Sequence, residues 1–275
     1  MNTCLLDGSA GTALWSMAEE AGVKKEPVWK YSIEHPEFVT RLHRSYIEAG
    51  SQLIQTNTFA VNRKAVKDSS DYSVKQVVSA AVRLAKEATA GTDVGYYVTF
   101  GPLSQLLVPY GNLTREETEE TYTELVSAAA EEGGAKFIVF ETFFDVEMMK
   151  IAVSSAKKFD LPVICSMTFA KRRKTMMGNS VQNIVDALTP LGIDGIGMNC
   201  SFGPVEALPI LQEFAEKTDL PLYYKPNAGV GEQYSAQQFA QELRPALPYV
   251  SYVGGCCGCD KEYIKELARV ISSES

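Results

Sequence analysis

Short apolar runs that end in small or polar residues recur along the chain, and the stretches between them place their apolar positions at a helical period. Eight such runs predict strands, at residues 3–6, 52–56, 95–99, 137–141, 162–167, 195–198, 222–225 and 249–254. A helix fits after each. Over residues 37–49, Phe38, Leu42, Tyr46 and Ile47 fall on one stripe, and Gly50 supplies a stop signal. Thr114, three residues before Glu117, predicts a capping box that opens a helix running to about Glu132. Asp145, Ser180 and Ser235 each precede a helical pattern as N-caps. Eight strand-helix units with no linker and no compositional break predict an α/β chain, a closed (β/α)8 TIM barrel forming a single domain over residues 1–275.

The polar residues then fall in one place. Asp7, Thr56-Asn57-Thr58, Gly101-Pro102, Glu141-Thr142, Asn199-Cys200, Lys225-Pro226-Asn227 and Cys256-Cys257 all lie at or just past the C-terminal ends of predicted strands, which meet at one rim of a barrel. Cys200 thereby becomes a neighbour of Cys256 and Cys257. Glycines on both sides of the paired cysteines let the backbone turn sharply and aim successive side chains at one point. Three thiolates leave a tetrahedral zinc one open position, the mark of a catalytic site suited to activating a substrate thiol. Cys259 reads as a bystander, because a fourth sulfur would close the site to substrate. Cys4 and Cys165 sit in apolar runs and read as packing residues.

Composition narrows the classes. The formal charge of −8 works against a nucleic-acid surface, and the one basic run, Lys171 to Lys174, reads as a solvated turn. No stretch approaches the twenty or so apolar residues that span a bilayer, and no leader pattern opens the chain, so the expectation is a soluble cytoplasmic enzyme with no membrane partner. Six unevenly spread cysteines do not make a secreted disulfide scaffold. His35 and His43 lie on the first strongly periodic helix and read as surface or packing residues. The run from Asp7 to Thr12 lacks both the Walker spacing and the dinucleotide Gly-x-Gly-x-x-Gly. Its amides suit a carboxylate instead, with Asp7 placed to hold an ammonium group. Glu141 ends a very apolar strand, so it needs a cation, either Lys225 or a substrate ammonium.

Taken in order, Leu5 to Thr12, Gln55 to Phe59, Gly101-Pro102, Phe140-Glu141-Thr142, Gly197 to Ser201, Lys225 to Gly229 and Gly254 to Gly258 resemble the motif series of zinc-dependent homocysteine S-methyltransferases over nearly the whole chain. That family includes the homocysteine-binding module of cobalamin-dependent methionine synthase, betaine-homocysteine methyltransferase and enzymes that use S-methylmethionine. The resemblance implies one zinc ion on Cys200, Cys256 and Cys257, the homocysteine amino group on Asp7 and Glu141, and its carboxylate on amides around Gly8, Ser9 and Ala10. It also implies that Asn227 caps the metal before substrate arrives. One departure concerns the pocket wall: the family usually has Thr after Cys-Cys-Gly, whereas this chain has Cys259-Asp260.

A thiol with an ordinary pKa near 8.5 is deprotonated when it binds zinc. Homocysteine activated in this way would attack an electrophilic methyl group in line and become methionine. The segment from Gly101 to Leu107, followed by Gly111 to Thr114, looks more like the methionine synthase module than the S-methylmethionine enzymes. The donor expected is therefore a methylcorrinoid protein or methyl-folate system supplied in trans. Phe143, Phe144, Phe202 and Tyr110 would form an aromatic rim for such a partner. The alternatives are a stand-alone enzyme using S-methylmethionine, S-adenosylmethionine or betaine, and a non-catalytic zinc and homocysteine-binding subunit of a larger system.

Overall fold

A computed structural model describes residues 3–229 and 233–274, apart from the side chains of Lys171 and Glu274. Eight parallel strands follow one another around a ring: β1 (Cys4–Leu5), β2 (Leu53–Gln55), β3 (Gly95–Phe100), β4 (Ile138–Phe143), β5 (Val163–Met167), β6 (Gly195–Asn199), β7 (Leu222–Lys225) and β8 (Tyr252–Val253). Each pairs with its sequence neighbour from β2 to β8, β8 pairs with β1, and a parallel bridge from Leu6 to Leu53 closes the circle. The chain is thus a (β/α)8 barrel. The strand at 249–254 is shorter than expected, because residues Arg244–Tyr249 form a 3-10 helix instead. Pro245 and Pro248 explain this, since proline fixes φ and cannot donate to a sheet ladder.

Helix starts follow side-chain chemistry. Thr114 with Glu117, Ser180 with Asn183 and Ser235 with Gln238 form capping boxes, and Asp145 accepts from the amides of Glu147 and Met148. The helix opened by Thr114 spans Arg115–Glu132, and that carrying Tyr46 spans Pro36–Glu48.

Strand alternation is what positions the site. Leu6, Leu53, Tyr97, Val139, Ile164 and Tyr223 form a separate apolar cluster that plugs the barrel interior. Two residues further along the same strands stand Gln55, Thr99, Glu141, Ser166 and Lys225, all buried. A polar layer therefore lies directly on the apolar plug, and loops beyond it carry the cysteines. At Gly197 a Cβ would meet the Tyr223 carbonyl at 1.9 Å, so only glycine fits where β6 and β7 run closest.

Candidate metal and substrate site

Lys225, at the end of β7, is the cation of the polar layer. Its Nζ donates to Asp7 Oδ1 at 2.9 Å, to the Tyr97 hydroxyl at 3.0 Å and to Gln55 Oε1 at 3.3 Å. The Gln55 amide donates to the other Asp7 oxygen at 2.8 Å. The side chains of Asp7 and Lys225 are each 2% exposed, so the pair is desolvated. Burial opposes the charge on Lys225, but Asp7 and then Glu141 outweigh it and hold the ammonium above its ordinary pKa.

The direct partner of Lys225 is therefore Asp7, so of the two cations the sequence left open for Glu141, Lys225 is not the one in contact with it. Glu141 accepts from Thr99 Oγ1 at 2.5 Å, Asn199 Nδ2 at 3.2 Å and the Tyr223 hydroxyl at 3.4 Å. Its burial raises the carboxyl pKa, against the nearby charge of Lys225 and the Thr99 hydrogen bond. Glu141 is the acid of this layer with no cation in direct contact among the described residues.

Asn199 joins this layer to the sulfurs. Its Oδ1 accepts from the Thr142 amide at 2.8 Å and Ser166 Oγ at 2.7 Å. Its Nδ2 donates to Thr142 Oγ1 at 2.8 Å as well as to Glu141, and lies 3.8 Å from Cys256 Sγ. Thr142 and Cys200 both adopt left-handed backbone, at φ 63° and 51°. Such residues cost about 1–2 kcal/mol and persist where the surroundings over-determine them, commonly at functional sites. The twist at Thr142 coincides with a register shift in β4 between Phe140 and Phe143.

The sulfurs of Cys200, Cys256 and Cys257 all lie within 4.8 Å of one another, with Cys200 and Cys257 at 3.3 Å. Tetrahedral zinc with sulfur at about 2.3 Å separates its ligand sulfurs by about 3.8 Å, so the trio fits such an ion. Hydrogen bonds from Cys200 and then Cys256 pull the Cys257 thiol down to about 3, whereas hydrogen bonds with Cys200 and then Cys257, together with burial, push Cys256 well up. Cys259 is fully buried, with its sulfur 3.8 Å from the Pro226 carbonyl and outside the trio.

Backbone contacts tie the sulfur loop to the loop after β1. Ser9 N–H donates to the Cys259 carbonyl at 2.9 Å, and the Tyr46 hydroxyl donates to Ser9 O at 2.7 Å and Cys259 O at 3.3 Å. A Cβ on Gly8 would meet that Cys259 carbonyl at 2.4 Å. The Ser9 amide expected to face a carboxylate is therefore already engaged. Amides free for an anion lie further on, in the first turn of the helix Gly11–Glu20, which has no intrahelical acceptors for them.

A cavity of about 520 Å³ opens over this assembly. Lys225, Glu141 and Asn199 form its floor, the three cysteines one wall, and Trp15, Val28 and Phe59 belong to its apolar part. Gly8, Ser9 and Ala10 also line it, whereas Asn227 does not. Asn227 Oδ1 is buried without a hydrogen-bond partner among the described residues. Of the expected aromatic rim, Phe143 is instead fully buried against Tyr122 and Phe140, Phe144 and Phe202 are half-buried, and Tyr110 is exposed.

The family described as homocysteine S-methyltransferase matches residues 4–271. The chain belongs to that family. Methionine synthase of Mycobacterium leprae is 30% identical over 262 residues, covering 86% of this chain but 21% of the relative. Methionine synthase of Mycobacterium tuberculosis is 28% identical over 265 residues, again 86% of this chain and 22% of the relative. The chain thus spans about a fifth of the length of these curated relatives. In fold, it superposes on the metallated form of the homocysteine methyltransferase MmuM from Escherichia coli with a TM-score of 0.81 at 21% identity, over 98% of this chain and 96% of that one. In this member of the homocysteine S-methyltransferase family, the polar layer under the cavity holds more side chains than the motifs announced. Thr99, Tyr97 and Tyr223 lay unremarked inside apolar strands, and their signal was the period-2 spacing that aims them inward with Glu141 and Lys225.

Proposed function

We propose that this protein methylates homocysteine to methionine, with one zinc ion on Cys200, Cys256 and Cys257. The observation that carries the reading is the convergence of three sulfurs within 4.8 Å beside a desolvated acid layer in one cavity. A metal there supplies a Lewis acid that lowers the pKa of a substrate thiol. Glu141 takes most of the substrate ammonium charge, since Asp7 is already matched by Lys225. Amides at Gly8, Ala10 and the following helical turn receive the carboxylate. The thiol proton leaves to solvent, the sulfur attacks the methyl carbon, and the donor-methyl bond breaks with its electron pair staying on the donor. Asn227, whose buried Oδ1 has no hydrogen-bond partner among the described residues, would cap the metal before substrate binds.

The donor we assign is a methylcorrinoid protein, consistent with the sequence likeness to methionine synthases whose length extends far beyond this module. Among the described residues no helix is long and apolar enough to cross a membrane, in keeping with a cytoplasmic enzyme. The test is zinc content together with methionine formation from homocysteine and each donor in turn. Turnover with S-methylmethionine, S-adenosylmethionine or betaine but not with a methylcorrinoid protein would replace the donor assignment. Zinc and homocysteine binding without turnover on any donor would make the protein a binding subunit.

A further inference from the structure

Seven large apolar side chains are substantially exposed among the described residues: Trp15, Phe59, Val108, Tyr110, Met176, Val205 and Tyr249. Six of them stand in the loops or first two helical turns that follow β1, β2, β3, β5 and β6, and of the seven Tyr249 alone lies at the other end of the barrel. Exposed apolar side chains are thus concentrated at the end of the barrel that carries the cavity. The same face carries the one basic run. Arg172, Arg173 and Lys174 are exposed, and no carboxylate among the described residues pairs with them, in a chain of formal charge −8.

This loop is built rather than loose. Arg172 and Arg173 hold left-handed backbone, φ 67° and 54°, a conformation unfavourable for non-glycine residues that needs support. Support comes from the Ala170–Lys174 bridge, closed by the Ala170 amide on the Lys174 carbonyl at 2.8 Å, and from Thr175 and Asn179, which bond to each other through backbone and side chain. At its root Thr168 Oγ1 donates to the Cys200 carbonyl at 3.3 Å and the Phe169 amide to Ser201 Oγ at 2.8 Å. The loop is therefore anchored on the segment that presents a sulfur of the metal cluster.

We propose that the loop 171–176 is the docking element for a separate methyl-carrying protein that presents an acidic patch, with Arg172 and Arg173 steering it and Met176 packing at the contact. Arginine and methionine are the residue types enriched at protein interfaces, and an excess of positive charge here complements an acidic face while the rest of the chain repels one. The inference rests on the reading that the methyl group arrives on a partner protein.

The test compares wild type, the double variant Arg172→Glu/Arg173→Glu and a control of equal charge, Lys86→Glu/Lys217→Glu, in the last turns of helices Val74–Thr89 and Pro204–Lys217 at the opposite end of the barrel, each zinc-loaded. The probes are a methylcobalamin-loaded corrinoid protein and free methylcobalamin. The loop variant is expected to lose about tenfold or more in kcat/KM on the protein-borne donor, with a flattened salt dependence, while its rate on free methylcobalamin and its zinc content stay at wild-type values. The control is expected to match wild type. Equal losses in both variants, or none in the loop variant, would overturn the assignment. A wild-type dimer that the loop variant renders monomeric in sedimentation would make a second copy of the chain the occupant and overturn it too. Wild type inert on the protein-borne donor yet active on free donors would instead refute the donor reading, and this docking role with it.

Discussion

Replacing Lys225 by Met keeps an unbranched side chain one atom shorter and removes the one cation in contact with Asp7 among the described residues. The structure sets the size of the effect. The pair is 2.9 Å apart with 2% exposure on each side, and Glu141 lies in the same buried layer. Without the ammonium, two carboxylates remain desolvated, held only by neutral donors from Gln55, Tyr97, Thr99, Asn199 and Tyr223. Removing one partner of such a pair costs about 3–5 kcal/mol, whereas replacing both by neutral residues of similar shape is often close to even. Lys225→Met should therefore lose about 3–5 kcal/mol of unfolding free energy, and Asp7→Asn rather less, because Lys225 keeps Tyr97 and Gln55 as acceptors. The double variant Lys225→Met/Asp7→Asn should recover at least about 2 kcal/mol over the sum of the singles. Urea denaturation of all four proteins at pH 7 measures this directly. Additivity within about 0.5 kcal/mol would mean that the two charges do not share one desolvated site, and the argument that Glu141 alone is left for a substrate ammonium would fail with it.

Three further outcomes are expected. Cys256→Ser should abolish zinc binding and turnover together, while Cys259→Ser retains about one equivalent of zinc by elemental analysis; loss of metal from the second variant would make Cys259 a ligand after all. Gly8→Ala forces a methyl group to within 2.4 Å of the Cys259 carbonyl and should cost about 1–3 kcal/mol and raise the KM for homocysteine, whereas Gly11→Ala, with nothing within 4 Å of the new carbon, should change neither. Burial lowers the pKa of His43 from the ordinary 6.5 to about 4, against the pull of Asp7, and its Nε2 has no partner among the described residues. The unfolded chain then binds the extra proton first, so this group's contribution is intact above about pH 6.5 and is lost as pH falls toward 4. Between pH 7 and pH 5 the loss is about 2 kcal/mol, and His43→Leu should show that much less acid destabilisation in urea titrations; equal slopes would place the histidine in contact with water.

Much of this was legible before any coordinates, and the reason is that the readable features are local. An apolar run bounded by turn residues, a Thr three positions before a Glu, and a Cys-Cys pair between glycines each carry their signal within a few residues, and all three features appear in place. Ring geometry also brought Cys200 to Cys256 and Cys257, because strand ends of a closed barrel share one rim. What stayed hidden depends on which inward-facing residues meet across the ring. Lys225 on β7 lies two strands from the end of β1 through β8, but three from Glu141 on β4. Both acids follow apolar strands and both point inward, so sequence alone offers no preference, and the pairing with Asp7 emerges only from closure. Phe143 fails for a related reason, since the left-handed turn at Thr142 and the register shift beside it break the alternation and send the ring outward to Tyr122. That irregularity is held by Asn199, whose amide takes both polar groups of Thr142 while also reaching Glu141 and Cys256. The same side chain thus fixes the bend in β4, the acid and the approach to the sulfurs. A substitution there should perturb the amino-acid subsite and the metal cluster together, which no single motif in the chain would have suggested.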